Sequence, residues 1–340
     1  MVARADARYR GPSKAIARQQ AQLHKQRFTV NRARLGKWPR KPKSVKGGQP
    51  SLFTRATGRK TDDTYRAVPK RVRRRLQPRV QRILKHISAT GQRGPATFDG
   101  DGTLWAGDVG EGFFTWMLKN GHYPQERTPM LYRAWHGYKA GTFDGEKMYE
   151  LMVTGLAGVK ETRVKELARL YFDTKHRHRI YRPSSDLITA LTSMGIEPWV
   201  VSGSPKWVVA AGARHLGIPA ERVIGLGVRV DSDGRLTGEV VRPVPWKHGK
   251  AKRILQHVGR IPVLAAGNSY GDLQMLKTAT GLSLVINPCP KTLRHARDFD
   301  WVIHRYNRND ELARSVRMLP GTRAPVLLAP PRGPSGDIRR

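Results

Sequence analysis

Cysteine is almost absent from this 340-residue chain, with Cys289 standing alone. A single thiol excludes an intrachain disulfide and any zinc site built from thiolates, and the expectation is a reducing compartment, the cytoplasm. Long apolar runs are missing too. No stretch approaches the roughly 18 apolar residues of a spanning helix, and the N-terminal region lacks the apolar centre of a secretory signal. Acidic side chains are scarce, 26 against 63 Lys and Arg, for a net charge of +37. The scarcity is uneven. Residues 1–95 hold 27 Lys and Arg but only Asp6, Asp62 and Asp63, so +24 of the excess lies there.

That asymmetry divides the chain. Residues 1–67 are polar, basic and broken by Gly11-Pro12, Pro39, Pro42, Gly47-Gly48 and Pro50. Such a segment cannot bury enough apolar surface to offset its ordering entropy, and a disordered basic extension is expected. Its Arg-rich, acid-poor composition is also that of organelle transit peptides. Residues 68–94 form a basic helical lead-in, in which Val72, Leu76, Val80, Ile83, Leu84 and Ile87 can share a face although Pro78 interrupts it. A Pro- and Arg-rich tail is expected over 306–340.

Between lead-in and tail, short apolar runs alternate with helical spacing, the pattern of a parallel α/β sheet. Strands are expected at Ala96–Phe98, Glu197–Val201, Val263–Ala266, Leu282–Ile286 and Trp301–Ile303. The segment 109–185 has helical spacing and no convincing strand, as an inserted cap would, so 95–108 and 186–305 make the core. Arg229–Val241 alternates around Asp233-Gly234 and reads as a hairpin.

Four local patterns carry chemistry. Phe98-Asp99-Gly100-Asp101-Gly102-Thr103 sets two carboxylates at i, i+2 beyond a strand end, where they can serve as nucleophile, metal ligand or proton donor; a plain Asp-Gly surface turn is the alternative. Ser202-Gly203-Ser204-Pro205 runs from a strand into a helix and can receive an anion, or Ser204 can simply cap that helix. Lys250 opens a further helix, as a phosphate-neutralising group or as a solvated lysine. Gly267-Asn268-Ser269-Tyr270-Gly271-Asp272 again ends a strand and offers hard oxygen ligands of the kind Mg²⁺ takes, with Asp272 as a helix cap in the other reading. His176-Arg177-His178-Arg179 reads as a solvated basic stretch, because histidines at i, i+2 share no helix face.

The order of DxDGT, a strand-end Ser, a Lys at a helix start and GNSxxDxxML resembles the haloacid dehalogenase (HAD) superfamily, in its phosphoserine-phosphatase-like branch with a helical C1 cap. The resemblance covers about residues 96–304. It implies a Rossmann-like three-layer α/β fold and a Mg²⁺-dependent phosphomonoester hydrolase acting on a small phosphorylated substrate, phosphoserine-like or an amino-alcohol phosphate. In that family Asp99 would be nucleophile and metal ligand. Asp101 would be the acid/base and lend its carbonyl to Mg²⁺. Thr103, Ser202, Gly203 and Lys250 would support and hold the phosphoryl group, and Asn268 and Asp272 would complete the metal site. Asn268 departs from the usual acid and brings no charge.

Substrate choice is expected from the cap, with Asp108, Glu111 and Glu150 as candidate contacts. The arginine that serine phosphatases set on the substrate carboxylate aligns near Glu150, which turns the expectation toward a cationic alcohol such as that of phosphocholine or phosphoethanolamine. Two rival readings share these residues or this charge. One is a phosphomutase or phosphotransferase. The other is a nucleic-acid or anionic-surface binder that carries a HAD domain, with residues 1–90 supplying salt-sensitive, sequence-independent affinity. Sparse aromatics such as Phe28, Trp38 and Phe53 speak against the latter.

Overall fold

The computed structural model describes residues 67–91 and 93–312. The basic leader, apart from Ala67, and the tail from residue 313 onward lie outside them. Helix α1 (Pro78–Ala89) starts at the proline that seemed to interrupt it, because the missing N–H costs nothing in a first turn. It buries Val80, Ile83, Leu84 and Ile87, and packs against α6 (Arg182–Ser193). Each buried aliphatic side chain contributes about 1.5–3 kcal/mol relative to exposure, enough to hold a basic helix on the domain.

The core is one parallel sheet in the order β3-β2-β1-β6-β7-β8. Its strands are β1 (Ala96–Phe98), β2 (Pro198–Pro205), β3 (Val223–Leu226), β6 (Leu264–Gly267), β7 (Leu282–Ile286) and β8 (Val302–His304). Because β2 and β3 lie on one side of β1 and β6 to β8 on the other, the chain reverses its winding at β1, where an open sheet leaves a crevice beyond the strand ends. Strand β3 escaped the sequence pattern because Gly225 and Gly227 break its apolar run. Strands β4 (Val228–Val230) and β5 (Leu236–Val240) form the separate antiparallel hairpin.

Four helices follow β1: α2 (Val109–Lys119), α3 (Thr128–Lys139), α4 (Gly145–Thr154) and α5 (Glu161–Tyr171). The chain enters and leaves them side by side, with Ala106 N donating to Arg179 O and Tyr181 N to Leu104 O, both at 2.9 Å. Helix α5 runs into a π turn, Phe172–His176. There the solvated reading of 176–179 fails for its first residue: His176 is buried, its ring centroid 5.4 Å from that of Phe172. Burial, with Arg179 and His178 adding to it, pushes the imidazole down to about 3, so it is neutral.

On the return side, α6 begins at Arg182 and already belongs to the core layer. The remaining helices, α7 (Lys206–Ala213), α8 (His248–His257), α9 (Leu273–Leu276) and α10 (Pro290–Asp298), link the later strands. Residues 306–312, read from sequence as the start of the tail, pack on the core instead. Tyr306 meets Tyr181 edge to face at 5.2 Å, Asp310 pairs with Arg79 at 2.5 Å, and Leu312 N donates to Ile180 O. Among the described residues no helix is long and apolar enough to cross a membrane.

Candidate active site

All four sequence patterns end at the same edge of the sheet. Asp99 N donates to Ala266 O at 2.9 Å, which ties the end of β1 to β6 and fixes where the Asp99 carboxylate emerges. The chain then turns sharply, with Leu104 N returning to Gly100 O at 2.8 Å. Gly102 adopts φ +72°, and a Cβ there would lie 2.0 Å from Asn268 Nδ2. Only glycine lets these two loops approach so closely.

Lys250, in the first turn of α8, is buried and reaches both loops. Its Nζ stands 2.6 Å from Asp99 Oδ1 and 2.6 Å from Asp272 Oδ1. The other oxygen of Asp272 accepts from Asn268 N, Ser269 N and Ser269 Oγ at 3.1, 2.8 and 2.9 Å. Asp272 therefore caps its own turn with one oxygen, as one sequence reading had it, while its other oxygen meets Lys250. Thr103 Oγ1 lies 3.4 Å from Asp99 Oδ2, and Ser184 Oγ donates to the Thr103 carbonyl at 2.8 Å, so Thr103 buttresses the Asp99 loop.

Charge is poorly balanced in this buried cluster. Burial and the neighbouring Asp272 carboxylate push Asp99 up to about 7 despite the opposing pull of Lys250. Burial also works against the Lys250 ammonium, but Asp272 and Asp99 outweigh it and hold the lysine above its ordinary value. One ammonium thus serves two carboxylates, and a further positive charge beside them would relieve the excess. The available donors are Asp99, Asp272, the Asn268 amide oxygen and the Asp101 carbonyl. All are hard oxygens, which fits Mg²⁺. Among the described residues no set of three or more His, Cys, Asp or Glu side chains could hold a metal; residue 268 is an amide, and Asp101 turns its carboxyl to Trp105, Val109 and Ser204.

That carboxyl has its own environment. Asp101 Oδ1 accepts from Trp105 Nε1 at 2.7 Å and Val109 N at 2.8 Å, and Ser204 Oγ donates to Oδ2 at 2.6 Å. Ser204 is thus not the cap of α7, as one sequence reading had it; Pro205 occupies that position without a side-chain bond. Burial, then the charges of Asp108 and Asp99, raise Asp101 well above the usual carboxylate range. A carboxyl whose proton is held more tightly than usual is better suited to act as a general acid.

A cavity of about 490 Å³ opens over this cluster. Asp99, Asp101, Ser202, Gly203, Lys250 and Asn268 line its floor; Asp108, Tyr138, Glu146 and Tyr149 line it from the cap, and Trp246 from the connection before α8. Of the three expected substrate contacts only Asp108 is there, capping α2 through Glu111 N at 2.7 Å and accepting from Tyr149 OH at 2.5 Å. Glu111 is taken up by Tyr138 OH and Lys139, and Glu150 pairs with Arg242 at 2.6 Å outside the cavity. Glu146, one turn before Glu150, occupies the place expected of it. Trp246 was also missed; it lies four residues before Lys250, and that proximity was the available signal.

A model of the haloacid dehalogenase-like hydrolase family matches residues 96–277, just over half of the chain. No curated protein matches it. Among solved structures, a protein of unknown function from Bordetella pertussis Tohama I is 20% identical, with a TM-score of 0.54 over 62% of this chain and 98% of that one, and has the same fold. A functionally unknown protein from Anaerococcus prevotii is 19% identical over 63% of this chain and 85% of its own, with a TM-score of 0.49. A probable phosphoserine phosphatase from Vibrio cholerae is 18% identical over 63% and 61%, with a TM-score of 0.45.

Proposed function

The chain belongs to the haloacid dehalogenase-like hydrolase family, and within it we propose a Mg²⁺-dependent phosphomonoester hydrolase that works through an aspartyl-phosphate on Asp99. The observation that carries this reading is the bridge of Lys250 between Asp99 and Asp272, with Asp101, its carboxyl raised by burial and neighbouring acids, two residues from Asp99.

Asp99 attacks phosphorus with a carboxylate oxygen, and the bond from phosphorus to the ester oxygen breaks. Asp101 gives its proton to the departing oxygen, which leaves as the alcohol. The resulting Asp101 carboxylate then takes a proton from water, the water oxygen bonds to phosphorus, and the acyl-phosphate bond breaks to return Asp99 and inorganic phosphate. Ser202 and Gly203 donate to phosphoryl oxygens while Lys250 offsets their charge. Asp99, Asp272, Asn268 and the Asp101 carbonyl would hold Mg²⁺, whose positive charge is what the crowded carboxylates lack. The acid at Asp101 favours phosphate esters over carbon–halogen substrates, which need no proton donor.

The test is hydrolysis of p-nitrophenyl phosphate with and without Mg²⁺. Release of nitrophenol that requires the ion and vanishes in Asp99→Asn is the expected result. A folded wild-type chain that releases phosphate from no monoester in the presence of Mg²⁺ sinks the reading.

A further inference from the structure

The cavity above Asp99 is unusual for so basic a protein. Among the described residues that line it, Lys250 is the only Lys, Arg or His, and its ammonium is already engaged by Asp99 and Asp272. Arg179 is not among the lining residues, although its Nη1 would lie 3.2 Å from a Cβ placed on Gly107, which is. On the cap side two carboxyl groups do line it, Asp108 and Glu146. A leaving group with a carboxylate, as in phosphoserine, would find no cation here and two acids facing it.

Aromatic rings complete the same wall. Tyr138 and Tyr149 meet edge to face with centroids 6.4 Å apart. Their hydroxyls are committed to Glu111 and Asp108, so they offer a ligand ring surface more than a hydroxyl. Trp246 lines the cavity as well, and its ring already attracts a protein ammonium, Lys247 Nζ, 3.9 Å from the centroid. Tyr138 likewise meets Lys139 Nζ, 5.6 Å from its centroid; rings that already draw ammonium groups, set beside two carboxyl groups, make a receptor for positively charged nitrogen.

We propose that this wall recognises the ammonium group of an amino-alcohol, so that the substrate, given the phosphatase reading above, is an amino-alcohol phosphate. The phosphoryl group sits on the floor with Ser202, Gly203 and Lys250, and the ammonium faces Asp108, Glu146 and the three rings. The sequence hint of such a substrate rested on Asp108, Glu111 and Glu150 among the cap's acidic and aromatic side chains. In the structure Glu111 and Glu150 are turned to other partners, while Asp108 lines the cavity and is joined by Glu146 and Trp246.

The test has two arms. In the first, kcat/KM is measured for phosphocholine and phosphoethanolamine against 3,3-dimethylbutyl phosphate (a neutral isostere), glycerol phosphate and phosphoserine, with p-nitrophenyl phosphate as the reference. The ammonium esters should exceed the neutral isostere by about tenfold or more, the scale of a desolvated cation–ring contact joined to a charge pair. Glu146→Gln should shrink that ratio through KM. In the second, choline and ethanolamine are titrated calorimetrically into the wild-type protein against 3,3-dimethylbutanol and ethylene glycol, and should bind about tenfold more tightly.

If the aryl phosphate is hydrolysed while neutral or carboxylate-bearing esters match the ammonium esters, this inference is overturned and the phosphatase reading survives. If no ester is hydrolysed but the ammonium alcohols bind selectively, the phosphatase reading falls and the ammonium site stands. If neither turnover nor selective binding is seen, both are overturned.

Discussion

Lys250 stands between Asp99 and Asp272, its Nζ 2.6 Å from an oxygen of each. All three side chains are buried, so water cannot screen what is lost when one is removed. In Lys250→Met two neighbouring carboxylates face each other with no cation between them. Removing one partner of a buried ion pair costs about 3–5 kcal/mol. Urea unfolding without metal should show a loss of that order, and kcat should drop by at least about 100-fold, as when an electrostatic stabiliser of the transition state is deleted. Added Mg²⁺ should restore part of the stability and little of the rate.

The elevated Asp99 also makes stability depend on pH. An acid whose folded value lies near 7 against an ordinary 3.8 stays protonated in the native chain where the unfolded chain has lost its proton. The metal-free protein should therefore lose stability as pH rises between about 4 and 7. Asp101 and Asp108, also raised, act in the same direction. Mg²⁺ binds the ionised form, so its binding should release protons at pH 6 and few at pH 8. Calorimetry in buffers of different ionisation enthalpy counts those protons directly. A proton count that does not fall with pH contradicts the assignment.

Asp108 connects recognition to acid–base chemistry. After burial, its charge is the next contributor to holding the proton on Asp101. Asp108→Asn keeps an oxygen for the Glu111 N–H cap but removes that charge. The alkaline limb of the kcat/KM profile, set by the ionisation of Asp101, should then move to lower pH. A variant profile that falls in rate without moving along the pH axis would show that Asp108 has no hold on the proton.

Most of the core site was legible in sequence because its residues sit within a turn of strand or helix ends. Asp99, Ser202, Lys250 and Asp272 each follow or open a regular element, so topology alone brings them together. The cap contacts were less legible. Glu146 and Glu150 lie one turn apart on the same face of α4, and Glu111 lies on α2, so spacing does not say which acid reaches the cavity. Tertiary partners decide it: Glu150 is drawn off by Arg242 and Glu111 by Tyr138 and Lys139. His176 was misread for a related reason. Its neighbours in sequence are cationic, but the π turn rotates it inward against Phe172 and Tyr171.

Gly102 tests how closely the Asp99 and Asn268 loops depend on each other. Gly102→Ala places a methyl at φ +72°, 2.0 Å from the Asn268 amide. The left-handed backbone costs about 1–2 kcal/mol for a residue with a Cβ, and Asn268 must move as well. We expect a modest fall in stability with a clear weakening of Mg²⁺ activation. If Asn268 holds no metal, the Mg²⁺ concentration for half-maximal rate should stay where it is in the wild-type chain.

Asn268→Asp asks why this position lacks a charge. A carboxylate there would join Asp99 and Asp272 around one lysine, three anions to one cation, with Asp272 already bound to the N–H of residue 268. Without metal that repulsion should lower the melting temperature and raise the Asp99 value still further. With metal the third carboxylate should tighten Mg²⁺ binding, because ligand charge is a main control of divalent-ion affinity. The half-activating Mg²⁺ concentration should fall by about tenfold, a gain of about 1.4 kcal/mol, while the apo protein becomes less stable. Opposite signs for the two measurements identify residue 268 as a ligand. A loss in both would mean that the amide is needed where it packs against Gly102, and that the metal is held by Asp99, Asp272 and the Asp101 carbonyl alone.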